Sequence, residues 1–227
     1  MKKQIYKLMV NEKSTITSEW LIPDHFQTAL IIAHGAGNGM DSPFISYLHK
    51  QIANHDILTV KFNFPYMEKA RKTPDRAQVL EATWLKVIDS VIKKTHLSAE
   101  QIFLSGKSMG GRYASMIASK QNFAVILYGY PLHAPGKPLN LRIEHFKTIS
   151  CPILIFQGTR DSLCQLDKLQ ESLEKYAPDA SLHIIEGGDH SFKTLKRMNR
   201  TEESVWQEIV LKTVEWINKS NAPEKHF

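Results

Sequence analysis

Short runs of apolar residues alternate along the chain with longer stretches in which apolar residues recur at helical spacing. Continuous apolar runs are typical of strands that are buried on both faces of a sheet. The strands predicted in this way cover residues 29–33, 57–62, 102–104, 123–128, 153–156 and 182–185. The helices predicted after them cover residues 43–54, 75–94, 113–118, 165–176 and 202–219. Strands that alternate with helices predict an α/β fold, with a mainly parallel sheet covered by helices on both faces.

Three other segments complete the predicted organisation. Residues 4–10 and 14–22 alternate loosely between polar and apolar positions, which predicts a leading hairpin. Residues 129–147 are rich in Pro and Gly without strong periodicity and are predicted to be a loop. The chain has no internal repeat and no linker composition, so we expect one domain over residues 1–227.

A Gly-x-Ser-x-Gly sequence follows the strand predicted at residues 102–104. Residues 106–110 read G-K-S-M-G, and a segment of small residues comes directly after them. Glycines on both sides of the serine allow a sharp strand-to-helix turn, in which a Cβ would collide with neighbouring backbone. Such a turn holds its serine in a strained conformation with the hydroxyl exposed. Ser108 is therefore predicted to be a nucleophile.

A serine nucleophile needs a base, and the base needs a carboxylate that orients it. His190 is predicted to be the base because it lies on a Gly-rich turn after the last predicted strand. Asp161 follows the preceding strand and is predicted to be the acid. Asp189 is interpreted as a turn residue, since adjacent side chains on an extended turn point apart, and Asp167 as a helix surface residue. The order serine, aspartate, histidine is that of an α/β-hydrolase triad.

The carbonyl oxygen that a serine attacks becomes an oxyanion, which two aimed backbone N–H groups can stabilise. Met109 follows the nucleophile at a helix N-terminus, so its N–H is predicted to be one donor. The second is predicted to be the N–H of Ala36, in the glycine-rich loop at residues 35–39. His34 begins this loop, and its shape and backbone are expected to matter more than its basicity.

The residues proposed for catalysis all follow predicted strands. In parallel α/β sheets the carboxyl ends of the strands lie at one edge, and ligands bind beyond that edge. The loop at residues 35–39, the turn at Ser108, Asp161 and His190 are therefore expected to form a single site.

The chain carries a net charge of +6, but its basic residues are scattered over predicted helix surfaces. This distribution favours solvated faces over a nucleic-acid partner. The densest cluster outside a helix is residues 69–72, around Arg71. Two interpretations stay open for this cluster and for Lys107: solvated side chains, or groups that attract an anionic substrate.

Cysteine usage and hydropathy indicate the compartment. The two cysteines, Cys151 and Cys164, have no metal-ligand spacing and are too few for a disulfide framework. Basic residues near the N-terminus are not followed by the apolar stretch of a signal peptide, and no apolar run reaches the ~20 residues of a membrane helix. We expect a cytoplasmic protein without a membrane association or a metal.

These motifs together resemble the α/β-hydrolase superfamily over nearly the whole chain. The segments that carry the resemblance are residues 34–37, 106–112, 161 and 189–190. With F-N-F-P-Y at residues 62–66, they are similar to a small dienelactone-hydrolase-like group. The resemblance implies a Ser-His-Asp hydrolase with no metal or organic cofactor. Some relatives in this group act as subunits of protein complexes, so a non-catalytic interaction module is the alternative function.

The turn at residues 106–108 differs from better-known dienelactone hydrolases at two positions, and it also resembles part of a second motif. Dienelactone hydrolases carry a cysteine where this chain has Ser108, and Lys107 is a further departure. Gly106, Lys107 and Ser108 also resemble the end of a phosphate-binding P-loop, but that motif needs a glycine where Gln101 stands.

Hydrolases usually insert lids between the strands predicted here at residues 124–128 and 153–156. This segment is short, which predicts a minimal lid or none. An open site favours small ester or thioester substrates, with amides and short peptides still open. Tyr66, Lys107 and Tyr130 are predicted to contact the substrate. Other candidate wall residues are Pro65, Met67, Leu132 and His133. Loop packing is an equal interpretation for these four residues and for the two tyrosines. We expect a monomer or a weak homodimer.

Overall fold

In the computed structural model, which describes residues 1–221, eight strands form one sheet in the order β1-β2-β4-β3-β5-β6-β7-β8. The strands are β1 (Lys2–Asn11), β2 (Ser14–Ile22), β3 (Ala29–Ala33), β4 (Leu58–Phe62), β5 (Ile102–Lys107), β6 (Ala124–Tyr128), β7 (Ile153–Gly158) and β8 (Ser181–Ile185). β1 pairs antiparallel with β2, and β2 with β4, whereas all other neighbours are parallel. The predicted leading hairpin and mainly parallel sheet are confirmed.

Within residues 1–221, six α-helices connect or flank the strands. They are α1 (Pro43–Ala53), α2 (Pro65–Glu68), α3 (Ala77–Thr95), α4 (Met109–Ala118), α5 (Leu166–Tyr176) and α6 (Glu202–Ser220). None of the helices within residues 1–221 has the length and apolarity that crossing a membrane requires.

The core has two layers because successive strand residues point to opposite faces of the sheet. In β3, Leu30 and Ile32 pack with α1 and α6, through residues such as Leu48 and Ile209. Ile31, between them, packs on the other face with residues of α3, α4 and α5. A strand with both faces covered must be apolar throughout, which explains the continuous apolar runs.

The structure differs from the predicted elements mainly at the ends of strands near the site. β5 continues to Lys107 because Gly106 and Lys107 pair with Leu127 and Tyr128 through their backbones, which a side-chain pattern does not reveal. α3 begins at Ala77, so Asp75 precedes the helix instead of lying within it. The short helix α2 was not predicted.

The segment between β6 and β7 contains one short 3₁₀ helix, Glu144–Thr148, and no inserted layer of helices. The minimal lid predicted from its length is confirmed. The carboxyl ends of β5 to β8 are therefore not covered by a helical cap.

Candidate active site

The turn between β5 and α4 holds Ser108 in a strained backbone conformation, with φ 50° and ψ −115°. Two glycines make this turn possible. A Cβ on Gly106 would lie 2.5 Å from the carbonyl carbon of Gly110, and a Cβ on Gly110 would lie 2.5 Å from the backbone oxygen of His34. Both distances are far below van der Waals contact, so only glycine fits either position. The turn presents Ser108 directly at the N-terminus of α4.

Three side chains from separate loops meet at this turn. His190 Nε2 lies 2.9 Å from Ser108 Oγ, and His190 Nδ1 lies 2.7 Å from Asp161 Oδ2. Asp161 follows β7 and His190 follows β8, so the parallel sheet brings them to one edge. The structure therefore places the predicted nucleophile and the predicted acid each within hydrogen-bonding distance of the predicted base.

The Asp161 carboxylate is fully buried and its oxygens accept three hydrogen bonds. Oδ2 accepts from Gln157 Nε2 at 2.7 Å as well as from His190, and Oδ1 accepts from the Leu163 N–H at 2.8 Å. Burial alone would raise the pKa of Asp161. The hydrogen bond and charge of His190, the Leu163 amide and the Lys107 charge outweigh burial and lower this pKa. The carboxylate is thus held ionised, as an acceptor for His190 Nδ1–H.

His34 is buried at the start of the glycine-rich loop and holds this loop through hydrogen bonds of both ring nitrogens. The Phe64 N–H donates to His34 Nε2 at 3.1 Å, so Nδ1 carries the proton and donates to the Gly35 carbonyl at 2.8 Å. Burial lowers the pKa of His34 to about 4, against a smaller opposing effect of the bond to Gly35. A neutral His34 therefore connects the loop to Phe64, two residues beyond the end of β4.

The two predicted oxyanion donors, Ala36 and Met109, line one cavity with Ser108. Within residues 1–221, the backbone N–H groups of Ala36 and Met109 donate to no protein acceptor. Neither amide is therefore occupied by an internal hydrogen bond.

That cavity has a volume of about 310 Å³. Its wall is largely apolar, with Pro74, Leu80, Pro131 and Leu163 among the lining residues. Polar side chains interrupt the wall at Asp75, Arg112, His133 and Arg142. Across residues 1–221 there is no group of three or more His, Cys, Asp or Glu side chains arranged to hold a metal ion.

A model of the α/β-hydrolase domain family matches residues 26–218. The chain belongs to this family.

Three solved structures share the fold over nearly their full lengths. A serine hydrolase homologue from Coxiella burnetii is 17% identical, with a TM-score of 0.73 and coverage of 98% of this chain and 99% of the other. Est1E from Butyrivibrio proteoclasticus is 13% identical, with a TM-score of 0.78 and coverage of 96% and 99%. A dienelactone hydrolase from Anabaena variabilis is 17% identical, with a TM-score of 0.76 and coverage of 96% and 97%. The predicted α/β-hydrolase fold and family are confirmed.

Three residues expected to contact substrate lie elsewhere in this α/β-hydrolase. Tyr66 is fully buried, and its hydroxyl donates to the Gly35 carbonyl at 3.4 Å. Tyr130 is also fully buried, and its hydroxyl donates to the Arg142 carbonyl. Neither tyrosine is among the residues that line the cavity beside Ser108. Lys107 lines a different cavity, beside Phe44, and its Nζ is buried.

Asp189 and Asp167, the two other aspartates considered as partners of His190, lie where the sequence predicts them. Asp189 accepts from the N–H groups of Ser191 and Lys193, at 2.8 and 3.0 Å, and so shapes the turn that carries His190. Asp167 is exposed in the first turn of α5. Neither contacts the imidazole.

Sequence reasoning missed three residues of this α/β-hydrolase site: Arg112, Arg142 and Gln157. Arg112 had a usable signal, because it follows Ser108 by four positions and thus lies one helical turn away. Arg142 comes from the irregular segment after β6, where no periodicity fixes its position. Gln157 lies in β7 between an apolar run and a glycine, and a strand glutamine does not by itself indicate a site.

Proposed function

We propose that this protein is a serine hydrolase that cleaves small ester or thioester substrates through an acyl-enzyme. The observation that carries the proposal is the continuous hydrogen-bonded line from Ser108 Oγ through His190 to Asp161, at 2.9 and 2.7 Å. That geometry supports proton transfer from the hydroxyl to the imidazole as the serine attacks.

In the first half-reaction Ser108 Oγ attacks the substrate carbonyl carbon, and its proton passes to His190 Nε2. Asp161 holds the Nδ1–H tautomer and stabilises the imidazolium that forms. The N–H groups of Ala36 and Met109 donate to the oxyanion of the tetrahedral intermediate. Collapse of the intermediate returns the proton from His190 to the departing alcohol or thiol and leaves Ser108 acylated.

In the second half-reaction water attacks the acyl group while His190 takes one of its protons. The tetrahedral intermediate then expels Ser108 Oγ, which regains its proton from His190, and the acid is released. His190 is thus the base that accepts a proton in both half-reactions.

The size and openness of the site support small substrates. A cavity of about 310 Å³ lies next to Ser108, and the segment between β6 and β7 adds no helical cap. Such a site suits a short acyl group better than a long alkyl chain, which would need a larger apolar surface. Rates on p-nitrophenyl esters of increasing acyl length should therefore fall beyond short chains. A maximum at long chains would contradict the small-substrate proposal.

A fluorophosphonate probe tests the serine mechanism directly, because it modifies only activated serines. The wild-type protein and the matched control Ser191→Ala are expected to be labelled, whereas Ser108→Ala is not. Labelling that persists in Ser108→Ala would contradict the choice of nucleophile. Absence of labelling in the wild type, where a known serine hydrolase reacts, would favour the non-catalytic interaction module instead.

A further inference from the structure

Two arginines line the cavity that holds Ser108, and neither has a carboxylate partner. Among residues 1–221, no ion pair and no side-chain hydrogen bond involves the guanidinium of Arg112 or of Arg142. The Nε of Arg112 is buried without any acceptor. A buried donor of a charged group that lacks a partner is destabilising, so its retention in a cavity requires an explanation.

Both arginines are carried by backbone that is fixed relative to the nucleophile. The Arg112 N–H donates to the Ser108 carbonyl at 2.9 Å, which makes it the first hydrogen-bonded turn of α4. The Arg142 N–H donates to the Leu132 carbonyl at 2.7 Å, and the Arg142 carbonyl accepts from the buried Tyr130 hydroxyl. The two side chains therefore extend into the cavity lining from backbone positions that are fixed by hydrogen bonds, one in a helix and one in a loop.

The charge of the cavity is not balanced by its own residues. Asp75 is its one acidic lining residue within the part of the chain described, and Asp75 already forms an ion pair with Arg71. Arg112 and Arg142 are close enough to affect each other: after burial, the charge of Arg112 is the next cause that lowers the pKa of Arg142. Two like charges held near each other repel, and an anion between them would relieve that repulsion.

We propose that Arg112 and Arg142 bind a carboxylate or phosphate group of the substrate whose ester or thioester bond Ser108 attacks. Guanidinium groups match the geometry of both anions through paired N–H donors. This inference rests on the proposed hydrolase function and narrows its substrate class to anionic esters and thioesters. The loss of one charged hydrogen-bonding partner is expected to reduce kcat/KM for such substrates by about 10- to 100-fold.

The test compares anionic esters with neutral amide isosteres. Mono-4-nitrophenyl glutarate and its terminal amide place the charge on the acyl side, whereas 4-acetoxybenzoate and 4-acetoxybenzamide place it on the leaving group. The ester 4-acetoxyphenyl phosphate places a phosphate on the leaving group and is compared with the neutral 4-acetoxybenzamide. The ratio of kcat/KM for the charged and neutral members is measured for wild type, Arg112→Gln, Arg142→Gln and the control Arg197→Gln. Arg197 is exposed and outside the cavity, so its substitution removes the same charge elsewhere.

We expect the wild type and Arg197→Gln to prefer at least one charged ester by about tenfold or more, and both cavity variants to lose that preference. A charged-to-neutral ratio near one in the wild type on every arm would overturn the inference, as would an unchanged ratio in both cavity variants. Fluorophosphonate labelling of each variant separates the two proposals. A labelled enzyme without a charge preference contradicts only the anionic substrate.

A binding measurement covers the case in which the wild type is not labelled. The unfolding temperature of Ser108→Ala is recorded with 4-hydroxybenzoate or 4-hydroxybenzamide, and with glutarate or 4-carbamoylbutanoate. Selective binding of the more anionic member stabilises the folded state. A shift that is larger for this member, and lost when Arg112→Gln is added, supports the anion site independently of turnover. Equal shifts for both members of each pair would count against it.

Discussion

Lys107 Nζ and the Asp161 carboxylate approach each other across Gly129, which has no side chain to separate them. A Cβ on Gly129 would lie 2.8 Å from Lys107 Nζ and 3.7 Å from Asp161 Oδ2. Within residues 1–221 Nζ has no hydrogen-bond acceptor. Burial lowers the pKa of Lys107 from 10.5 to about 8, although the charges of Asp161 and Asp189 oppose this shift. Lys107 therefore retains its charge at neutral pH at the expense of stability.

Lys107→Met is expected to increase the free energy of unfolding at pH 7 by about 1–3 kcal/mol, since it removes a buried charge without a hydrogen-bonding partner. Between pH 8 and pH 10.5 the unfolded wild type binds more protons than the folded one, so wild-type stability rises with pH and the difference shrinks. Chemical denaturation at pH 7 and pH 10 measures both effects. Lys193→Met, at an exposed lysine near His190, is the control. A difference that grows with pH would contradict this account.

Gln157 is expected to position Asp161 rather than to touch substrate. Gln157→Met removes the donor to Asp161 and leaves the buried Tyr130 N–H, which donates to Gln157 Oε1 at 2.9 Å, without an acceptor. We expect a loss of about 1–3 kcal/mol in stability. We also expect kcat to fall with little change in KM, because His190 loses its rigid partner. Ester kinetics and denaturation together measure this. The exposed Gln170→Met is the control, and an unchanged kcat at Gln157 would refute the positioning role.

Substitution by alanine is predicted to be strongly destabilising at Gly110 and tolerated at Gly35. Gly110→Ala would place a Cβ 2.5 Å from the His34 carbonyl oxygen and should prevent the turn from forming, at a cost of several kcal/mol. Gly35→Ala would meet the Lys107 carbonyl oxygen at 3.5 Å, an ordinary contact, and should fold. Circular dichroism and thermal melts compare the two proteins. Equal stability of both variants would be inconsistent with the observed turn.

His34 is expected to make stability depend on pH in the acid range. Above pH 6.5 its imidazole is neutral in both states, and between about pH 6.5 and 4 only the unfolded chain takes up a proton. The free energy of unfolding therefore falls as the pH is lowered, by up to about 1.4 kcal/mol per pH unit for this residue.

Denaturation of His34→Gln from pH 7 to 4 should show a shallower slope than the wild type. The exposed His55→Gln serves as the control. The buried His49 and the half-buried His145 also have lowered pKa values and keep part of the slope in the variant. An identical slope in His34→Gln and wild type would show that His34 does not titrate as described.

Much of the fold and the central contacts of the site followed from the sequence, for a physical reason. A strand covered on both faces is apolar throughout, and a turn as tight as that at Ser108 requires glycine. Both features can therefore be recognised in the amino-acid sequence. Ser108, Asp161 and His190 could be predicted because each follows a strand end, and parallel strand ends share an edge.

The walls of the cavity could not be predicted in the same way. A tyrosine has an apolar ring and a polar hydroxyl, and sequence does not tell whether that hydroxyl meets solvent or backbone. Tyr66 and Tyr130 both donate to backbone carbonyls. The position of Arg142 depends on an irregular segment held by tertiary hydrogen bonds, whose path has no period to detect.

Ser108 immediately precedes α4, and Arg112 lies in the first turn of that helix, which gives the site a fixed length scale. Four residues of α-helix span about 6 Å along the axis, and this spacing does not change unless α4 itself unwinds. An anionic group held by Arg112 would therefore lie at a set number of bonds from the carbonyl under attack. The first turn of α4 would thus select substrates by the distance between their anionic group and their scissile bond.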